Sequence, residues 1–272
     1  MKLILPLLVL LILTSCGDGK MKNEDSNLPS IKDIPNSSWE KLSQKRIYFG
    51  HQSVGFNIIE GIKDVMKENP QIKFNIVETS EPEALDNPLF AHSRVGSNKD
   101  PKSKTTAFVM LMDEGVGNKA DIAFFKFCYV DIGEQTDARE IFTYYKDTLA
   151  RLRAKYPKTT FVHVTVPLRI VQRGPKVWIK TIINRPIGGY ADNINRNRYN
   201  DLLRQAYQGK EPIFDLADIE STFSDGSRSS FKANGKTYHS MVSAYTNDGG
   251  HLNETGRRLV AEQLLVFLNG LT

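Results

Sequence analysis

An aspartate and a histidine stand three positions apart near the C-terminus, in Asp248-Gly249-Gly250-His251. The two glycines, and a helical pattern directly after them, allow both side chains to lie at one loop tip. A carboxylate there can orient the imidazole and stabilise its charged form while the imidazole removes a proton from a hydroxyl. The pair is a candidate for the basic half of a triad. The alternatives are a common Asp-Gly-Gly turn and a surface histidine.

The hydroxyl of such a triad must come from a distant part of the chain, and the best candidate is Ser53. It stands between a strand pattern and a helical pattern, in Gly50-His51-Gln52-Ser53-Val54-Gly55. A serine at a helix start is also a common N-cap. The junction favours a nucleophile, because a helix N-terminus offers free N–H groups and a positive dipole end to a developing oxyanion. His51 is a candidate for a second polar group in the site.

Strand and helix patterns alternate along the rest of the chain. Strands are predicted over residues 45–49, 72–77, 121–127, 160–166 and 212–216, and helices over residues 54–67, 140–155, 195–208 and 255–268. This alternation is typical of an α/β fold. Ligands bind at the carboxyl edge of such sheets, so Ser53 and residues 126–131, which end the third predicted strand, are expected at one edge.

Three longer segments interrupt this pattern. Residues 78–104 are polar and contain three prolines, and a loop of that length is more often functional than idle. Residues 168–193 are either a lid that binds substrate or a solvated excursion, and they carry the basic residues Arg169, Arg173, Lys176, Lys180 and Arg185. Residues 217–245 form a second polar insertion.

The N-terminus has the layout of a secretory signal. Lys2 precedes an apolar run over residues 3–13 that is too short to span a bilayer, and Leu13-Thr14-Ser15-Cys16 follows. This ending resembles a bacterial lipoprotein signal, in which the cysteine is lipidated; the alternative is an ordinary signal peptide with a chance cysteine. We therefore expect a signal over residues 1–16, a polar tether over residues 17–38 and a domain over residues 39–272. The protein is expected to be an exported bacterial lipoprotein that is attached to a membrane through its lipid anchor only, in the periplasm or at the cell surface.

The charge, the cysteines and the histidines argue against a nucleic-acid partner, an internal disulfide and a metal site. The net charge is +5 with a pI near 9.0, and the basic residues are interspersed with acidic ones, so nucleic acid is not indicated. Lipidation of Cys16 leaves Cys128 as the only thiol, so no internal disulfide is expected. Cys128 and the five histidines lack the spacing of metal ligands, and no metal or cofactor is expected.

Four blocks together resemble the SGNH/GDSL hydrolase superfamily. These are the turn from Gly50 to Ser53, the strand end at residues 126–131, Thr165-Val166-Pro167, and Asp248-Gly249-Gly250-His251 followed by Gly256. The resemblance covers nearly all of the chain after the tether. It implies a flavodoxin-like three-layer α/β/α fold with a central, mainly parallel sheet. It also implies a catalytic triad of Ser53, His251 and Asp248.

The oxyanion contacts implied by the resemblance match less completely. The Ser53 N–H and the Gly96 N–H correspond to two donors. The family's third block supplies an asparagine, but here the strand ends in Lys126-Phe127-Cys128-Tyr129-Val130-Asp131. Lys126 is therefore a candidate for the third donor, or alternatively a structural ion-pair residue. His51 and Asn98 are candidate substrate contacts.

The resemblance implies an esterase that acts on an acylated glycan or a small ester. Its location favours removal of acetyl or other small acyl groups from a carbohydrate. One alternative is an acyltransferase that modifies a cell-surface glycan with a separate membrane acyl donor. Another is a non-catalytic glycan-binding lipoprotein. The missing asparagine leaves this alternative open, and exposed aromatic residues around the site would favour it; the candidates for such residues are Trp178, Tyr190 and Tyr238.

Overall fold

The computed structural model describes residues 30–183 and 185–272. The predicted signal, Cys16 and residues 17–29 of the predicted tether lie outside these ranges. Helices within them are α1 Asn36–Ser43, α2 Ser53–Glu68, α3 Pro101–Leu111, α4 Gly117–Lys119, α5 Ala138–Lys155, α6 Pro175–Ile182, α7 Tyr190–Tyr207, α8 Leu216–Ser221 and α9 Glu254–Asn269. Strands are β1 Arg46–His51, β2 Ile76–Glu78, β3 Leu89–Arg94, β4 Ile122–Phe125, β5 Thr160–Val164, β6 Ile213–Phe214, β7 Ser230–Ala233 and β8 Lys236–His239.

Six strands form one central sheet in the order β2-β3-β1-β4-β5-β6, and every neighbouring pair is parallel. Alternate residues of each strand point to opposite faces. Ile47 and Phe49 of β1 pack with α1, α2 and α9, whereas Tyr48 packs with α3, α5 and α7. The predicted three-layer α/β/α fold with a parallel sheet is confirmed.

The domain begins earlier than predicted. Ser30 caps a 3₁₀ helix over Ile31–Asp33 through a capping box, and the Ile31 side chain is buried in the core that α9 covers. Helix α1 then starts at Asn36, three residues before the predicted boundary. Residues 30–38, which were predicted as part of the tether, therefore belong to the domain, because two isoleucines in this polar stretch, Ile31 and Ile34, pack against the core.

The predicted loop over residues 78–104 contains a central strand. Strand β3 lies between β2 and β1, and α3 begins at Pro101. The strand was missed because two of its polar residues are buried through distant partners. Ser93 shares a 2.6 Å hydrogen bond with the Tyr48 hydroxyl, and His92 Nδ1 lies 3.0 Å from His51 Nε2.

The two later insertions also contain secondary structure. Residues 217–245 include most of α8 and the antiparallel hairpin of β7 and β8. Residues 168–193 include α6, which exposes Ile179 and Ile182. None of the described helices has the length and apolar character needed to cross a membrane.

Helices α2 and α9 pack closely on one face of the sheet, and both begin at its carboxyl edge. A Cβ added to Gly61 of α2 would lie 2.3 Å from the Arg257 carbonyl oxygen and 2.9 Å from the Ala261 Cβ. The Arg257 guanidinium also pairs with Asp64 over 2.7 Å. Because Gly61 has no side chain, the two helix backbones can approach at this point.

Gly61→Ala is expected to lower the free energy of unfolding by about 1–3 kcal/mol, because the new methyl group has no space between the two backbones. Urea denaturation of the purified domain measures this change. Gly188→Ala serves as the matched control, since its Cβ would meet only ordinary contacts at 3.7 Å and beyond. Equal stability of the two variants would contradict the close helix contact.

Candidate active site

Ser53 is the first residue of α2 and follows β1 after a single connecting residue, Gln52. Two glycines make this sharp turn possible. A Cβ on Gly55 would lie 2.1 Å from the His51 ring, and a Cβ on Gly50 would lie 2.8 Å from Val95 Cγ1. As the first N–H groups of a helix have no intrahelical partner, the Ser53 backbone is placed to donate to an anion.

The Asp248–His251 loop lies opposite this turn. In the tautomer that carries its proton on Nδ1, His251 donates to Asp248 Oδ2 over 2.6 Å. Its Nε2 then accepts from the Ser53 hydroxyl over 3.0 Å. The chain from Asp248 through His251 to Ser53 is therefore continuous, although the serine and histidine are far apart in sequence.

Backbone groups hold the carboxylate of Asp248 in place. Its Oδ1 accepts from the N–H groups of Gly250 at 2.9 Å and His251 at 2.8 Å. Burial raises the pKa of Asp248, but these bonds and the contact with the His251 side chain outweigh burial and leave the pKa below its usual range. Asp248 is consequently a carboxylate at neutral pH, as a residue that orients an imidazole must be.

The loop that carries Gly96 is tied to the same turn. Gln52 Nε2 donates to the carbonyl oxygens of Val95 at 3.1 Å and Gly96 at 2.7 Å. Gly96 has a φ of +54°, and a Cβ there would lie 2.5 Å from the backbone of Lys104. The structure thus brings Gly96 next to the Ser53 turn; oxyanion donation by its N–H stays a prediction.

Asn98 lies exposed on this loop, and its Oδ1 accepts from Lys104 Nζ over 2.9 Å. The amide nitrogen of Asn98 has no hydrogen-bond partner among the described residues, and contact of this side chain with substrate stays a prediction.

Known structures share this arrangement of strands and helices. A GDSL-like lipase from Bacteroides thetaiotaomicron matches with a TM-score of 0.52 at 13% identity, over 86% of this chain and 91% of that chain. This chain has a GDSL-like hydrolase fold. The resemblance to SGNH/GDSL hydrolases is thereby confirmed for the fold.

Two further matches have lower TM-scores. A lipase from a goat rumen metagenome matches with a TM-score of 0.45 at 13% identity, over 81% of this chain and 95% of that chain. An acetyl esterase mutant with acetate ion matches with a TM-score of 0.45 at 11% identity, over 83% and 98%. No protein-family model and no curated protein matches the sequence.

His51 does not lie at the open edge of this GDSL-like fold. Its side chain is fully buried, with Nδ1 2.9 Å from the Gln52 carbonyl oxygen and Nε2 3.0 Å from His92. Burial lowers the pKa of His51 to about 3, so the ring is neutral. The predicted substrate contact of His51 is wrong, because the tight turn that exposes Ser53 directs this neighbouring side chain inwards.

Lys126, the predicted third oxyanion donor, is also buried. Its Nζ donates to the Phe127 carbonyl oxygen over 3.3 Å, and burial lowers the pKa of the ammonium group. Lys126 forms no ion pair within 4.0 Å among the described residues, so the alternative role as an ion-pair partner does not hold either. The prediction of an oxyanion contact is wrong because the strand end directs this side chain into the core.

Glu220 lies in the same buried region as Lys126. Its carboxylate accepts from the Leu168 N–H over 2.8 Å, while its Oε1 has no hydrogen-bond partner among the described residues. Burial raises the pKa of Glu220 to about 8. At neutral pH this carboxyl group is therefore largely protonated. Its bond with the Leu168 N–H holds the start of the segment that follows β5.

A buried ion pair that the sequence did not reveal joins α3, which follows the Gly96 loop, to the loop after β4. Lys104 Nζ lies 2.5 Å from Asp131 Oδ2, and both side chains are inaccessible to solvent. Asp131 also accepts from the N–H groups of Lys99 at 2.8 Å and Cys128 at 2.6 Å. Asp131 therefore fixes the Gly96 loop relative to the end of β4.

Tyr129 packs against His251 and the loop that carries it. A Cβ on Gly250 would lie 2.7 Å from the Tyr129 ring, so the loop rests directly on this residue. The rings of Tyr129 and His251 meet edge-on with their centres 5.6 Å apart, and the hydroxyl lies 3.5 Å from His251 Nδ1. No sequence signal identified Tyr129, because an aromatic residue after a buried strand is ordinary core composition.

Helix α7 positions three segments near this edge through four buried amides. Asn193 and Asn200 bond the backbone of Arg169 and Val166 in the segment after β5, Asn195 bonds Gly133 and Thr136 before α5, and Asn197 bonds His239 at the end of β8.

Two of the aromatic residues considered for glycan binding are half-buried against Phe231 of β7. The ring centres of Tyr190 and Tyr238 lie 4.2 and 5.8 Å from that of Phe231, while the side chain of Trp178 lies outside the described part of the chain.

Among the described residues, no group of three or more histidine, cysteine, aspartate or glutamate side chains could hold a metal ion.

The raised pKa of Glu220 predicts a pH-dependent stability. Its pKa rises from 4.5 in the unfolded chain to about 8 in the fold, so the fold binds more protons between these values. The contribution of the Glu220 carboxyl to the free energy of unfolding is fully present below pH 4.5. It is lost as the pH rises towards 8, by up to about 1.4 kcal/mol per pH unit. Relative to Glu220→Gln, the wild type should lose unfolding free energy from pH 5 to 9.

Denaturant unfolding across this range measures the effect. Asp215→Asn is the control of opposite sign. Burial raises the pKa of Asp215, but the bonds from Arg204 outweigh burial and lower it, so this contribution is lost as the pH falls. A constant difference between the wild type and Glu220→Gln at all pH values would contradict the assignment.

Proposed function

We propose that this protein is a serine esterase that uses Ser53, His251 and Asp248 as its triad. The observation that carries the proposal is the hydrogen-bonded chain from Ser53 Oγ to His251 Nε2 at 3.0 Å and from His251 Nδ1 to Asp248 at 2.6 Å. This geometry favours catalysis over a purely glycan-binding role, because binding alone does not require a base aligned with a hydroxyl.

In the proposed reaction, Ser53 Oγ attacks the ester carbonyl carbon and its proton passes to His251 Nε2. The carbonyl oxygen becomes an oxyanion that the N–H groups of Ser53 and Gly96 stabilise. His251 then gives its proton to the departing alcohol oxygen as the carbon–oxygen bond breaks, leaving an acyl group on Ser53. Water then attacks the acyl carbon while His251 removes a proton from it. His251 returns this proton to Ser53 Oγ as the bond between Ser53 and the acyl group breaks, and the carboxylic acid is released.

We further propose that the substrate is a carbohydrate carrying acetyl or other small acyl groups. The side chains of His251 and Asp248 are 39% and 57% exposed, so the site is open at the carboxyl edge of the sheet. An open site suits a small substituent on a large, polar molecule better than a long acyl chain, which needs an enclosed apolar cavity.

Hydrolysis of para-nitrophenyl acetate by the domain from residue 30 onwards tests the triad. Ser53→Ala and His251→Ala are expected to lower kcat/KM by about 10³-fold or more, because each removes a group that forms or breaks bonds. Asp248→Asn should also lose most activity, since the amide no longer stabilises the charged imidazole. Ser80→Ala, at an exposed serine, is the matched control.

A fluorophosphonate probe provides a readout that does not depend on turnover. It should add its mass to the peptide that contains Ser53 in the wild type and not in Ser53→Ala. Activity that survives in Ser53→Ala, or labelling of another serine, would contradict the proposed nucleophile.

We also propose that the protein is an exported lipoprotein anchored through Cys16, which rests on the short apolar run and the cysteine that follows it. In a bacterial host, an alkyne fatty acid should label the wild type and Cys128→Ser but not Cys16→Ser. Cys128 is the matched control because its thiol is buried in the domain. Membrane retention and labelling of Cys16→Ser would contradict the anchor.

A further inference from the structure

Arg169 lies against the loop that holds His251. Its Nε donates to the Gly249 carbonyl oxygen over 3.2 Å, and the Ile170 N–H donates to the same oxygen over 3.2 Å. The guanidinium carbon lies 5.0 Å from the centre of the Tyr129 ring, which also contacts His251. One aromatic ring is therefore shared by the guanidinium and the imidazole.

The backbone of Arg169 is fixed by buried groups. Asn193, which is fully buried, accepts from the Arg169 N–H at 3.1 Å and donates to its carbonyl oxygen at 2.6 Å. The Met241 N–H donates to the same carbonyl oxygen at 3.1 Å. Arg169 therefore extends from an anchored backbone, and its guanidinium plane is constrained by Tyr129 and Gly249.

The charge of Arg169 is not neutralised by the described part of the protein. No carboxylate lies within 4.0 Å of its guanidinium there, and its two terminal nitrogens have no hydrogen-bond partner among those residues. Arg173 and Arg196 differ, because a terminal nitrogen of Arg173 donates to Ser229 Oγ and a terminal nitrogen of Arg196 donates to Asn193 Oδ1. Residues 168–191 contain five basic residues and no acidic residue, so the sequence around Arg169 supplies no compensating charge.

Building on the esterase proposed above, we propose that Arg169 binds a carboxylate on the alcohol part of the substrate, and that the substrates are esters of acidic molecules such as uronic acids. With Nε occupied by Gly249, the two terminal nitrogens can donate side by side to both oxygens of one carboxylate. Stacking on Tyr129 holds the guanidinium in one plane for this contact. Gly249 and His251 belong to the same loop, so the contact registers the substrate relative to the base.

A matched pair of chromogenic acetates tests the proposal. Acetoxynitrobenzoate carries a carboxylate on its leaving phenol, and acetoxynitrobenzamide is its neutral counterpart. The measured quantity is the ratio of the two kcat/KM values. The wild type should prefer the anionic ester, and Arg169→Gln should lower the ratio by about tenfold, the effect of one charged hydrogen-bonded contact. Arg169→Lys should retain part of the preference.

The ratio separates binding of the carboxylate from support of the loop. If Arg169 acts only by holding Gly249, Arg169→Gln lowers both values by the same factor and leaves the ratio unchanged, which overturns the proposal. Arg185→Gln removes the same charge elsewhere in the basic segment and should keep the wild-type ratio. An equal fall of the ratio in Arg185→Gln would show that the preference comes from the summed positive charge of the basic segment and not from one contact. This result would also overturn the assignment.

The neutral ester keeps the two proposals distinguishable. Turnover of acetoxynitrobenzamide that depends on Ser53, with no preference for the anionic ester, overturns the role of Arg169 and leaves the esterase intact. Absence of turnover for both esters overturns both proposals. Added salt should reduce the wild-type ratio, because it screens the attraction between the guanidinium and a carboxylate in an open site.

Discussion

The contact between α2 and α9 is the constraint on which the site depends. Ser53 begins α2 and His251 lies just before α9, so the position of each helix sets the position of one reacting group. Gly61 lets the two backbones meet, and Arg257 and Arg258 of α9 pair with Asp64 and Glu68 of α2. The packing of two helices thereby converts residues distant in sequence into a hydrogen-bonded pair.

The other side of the site is held by polar groups rather than by helix packing. Asp131 accepts from Lys104 and from the backbone of both adjacent loops, while Gln52 bonds the Gly96 loop to the nucleophile turn. Loss of either partner of a buried ion pair leaves an uncompensated charge and costs about 3–5 kcal/mol. The loops are therefore placed by interactions that specify geometry strongly, even though they add little net stability when complete.

Much of the fold and the candidate triad could be predicted because their signals are local. Apolar strand patterns, the glycines around Ser53 and the spacing of Asp248 and His251 each lie within a few residues. Strand β3 could not be predicted in this way, since its buried His92 and Ser93 are satisfied by residues of β1.

The same limit explains the two wrong site residues. His51 and Lys126 have side chains that commonly serve catalysis, and they stand at the carboxyl ends of strands, yet both point into the core. The direction of a side chain at a strand end depends on the turn that follows, which a pattern of residue types does not report. No individual role was predicted for Tyr129, Gln52 or Arg169 for the converse reason, because their contacts are with neighbours elsewhere in the chain.

The central sheet ends in very short strands on both sides. Strand β2 has three residues and β6 has two, whereas the inner strands have four to six. Each outer margin therefore offers few unpaired N–H and C=O groups to a strand from another molecule. The sheet is blunt at both margins, and copies of the protein crowded on one surface would have little opportunity to join edge to edge and aggregate.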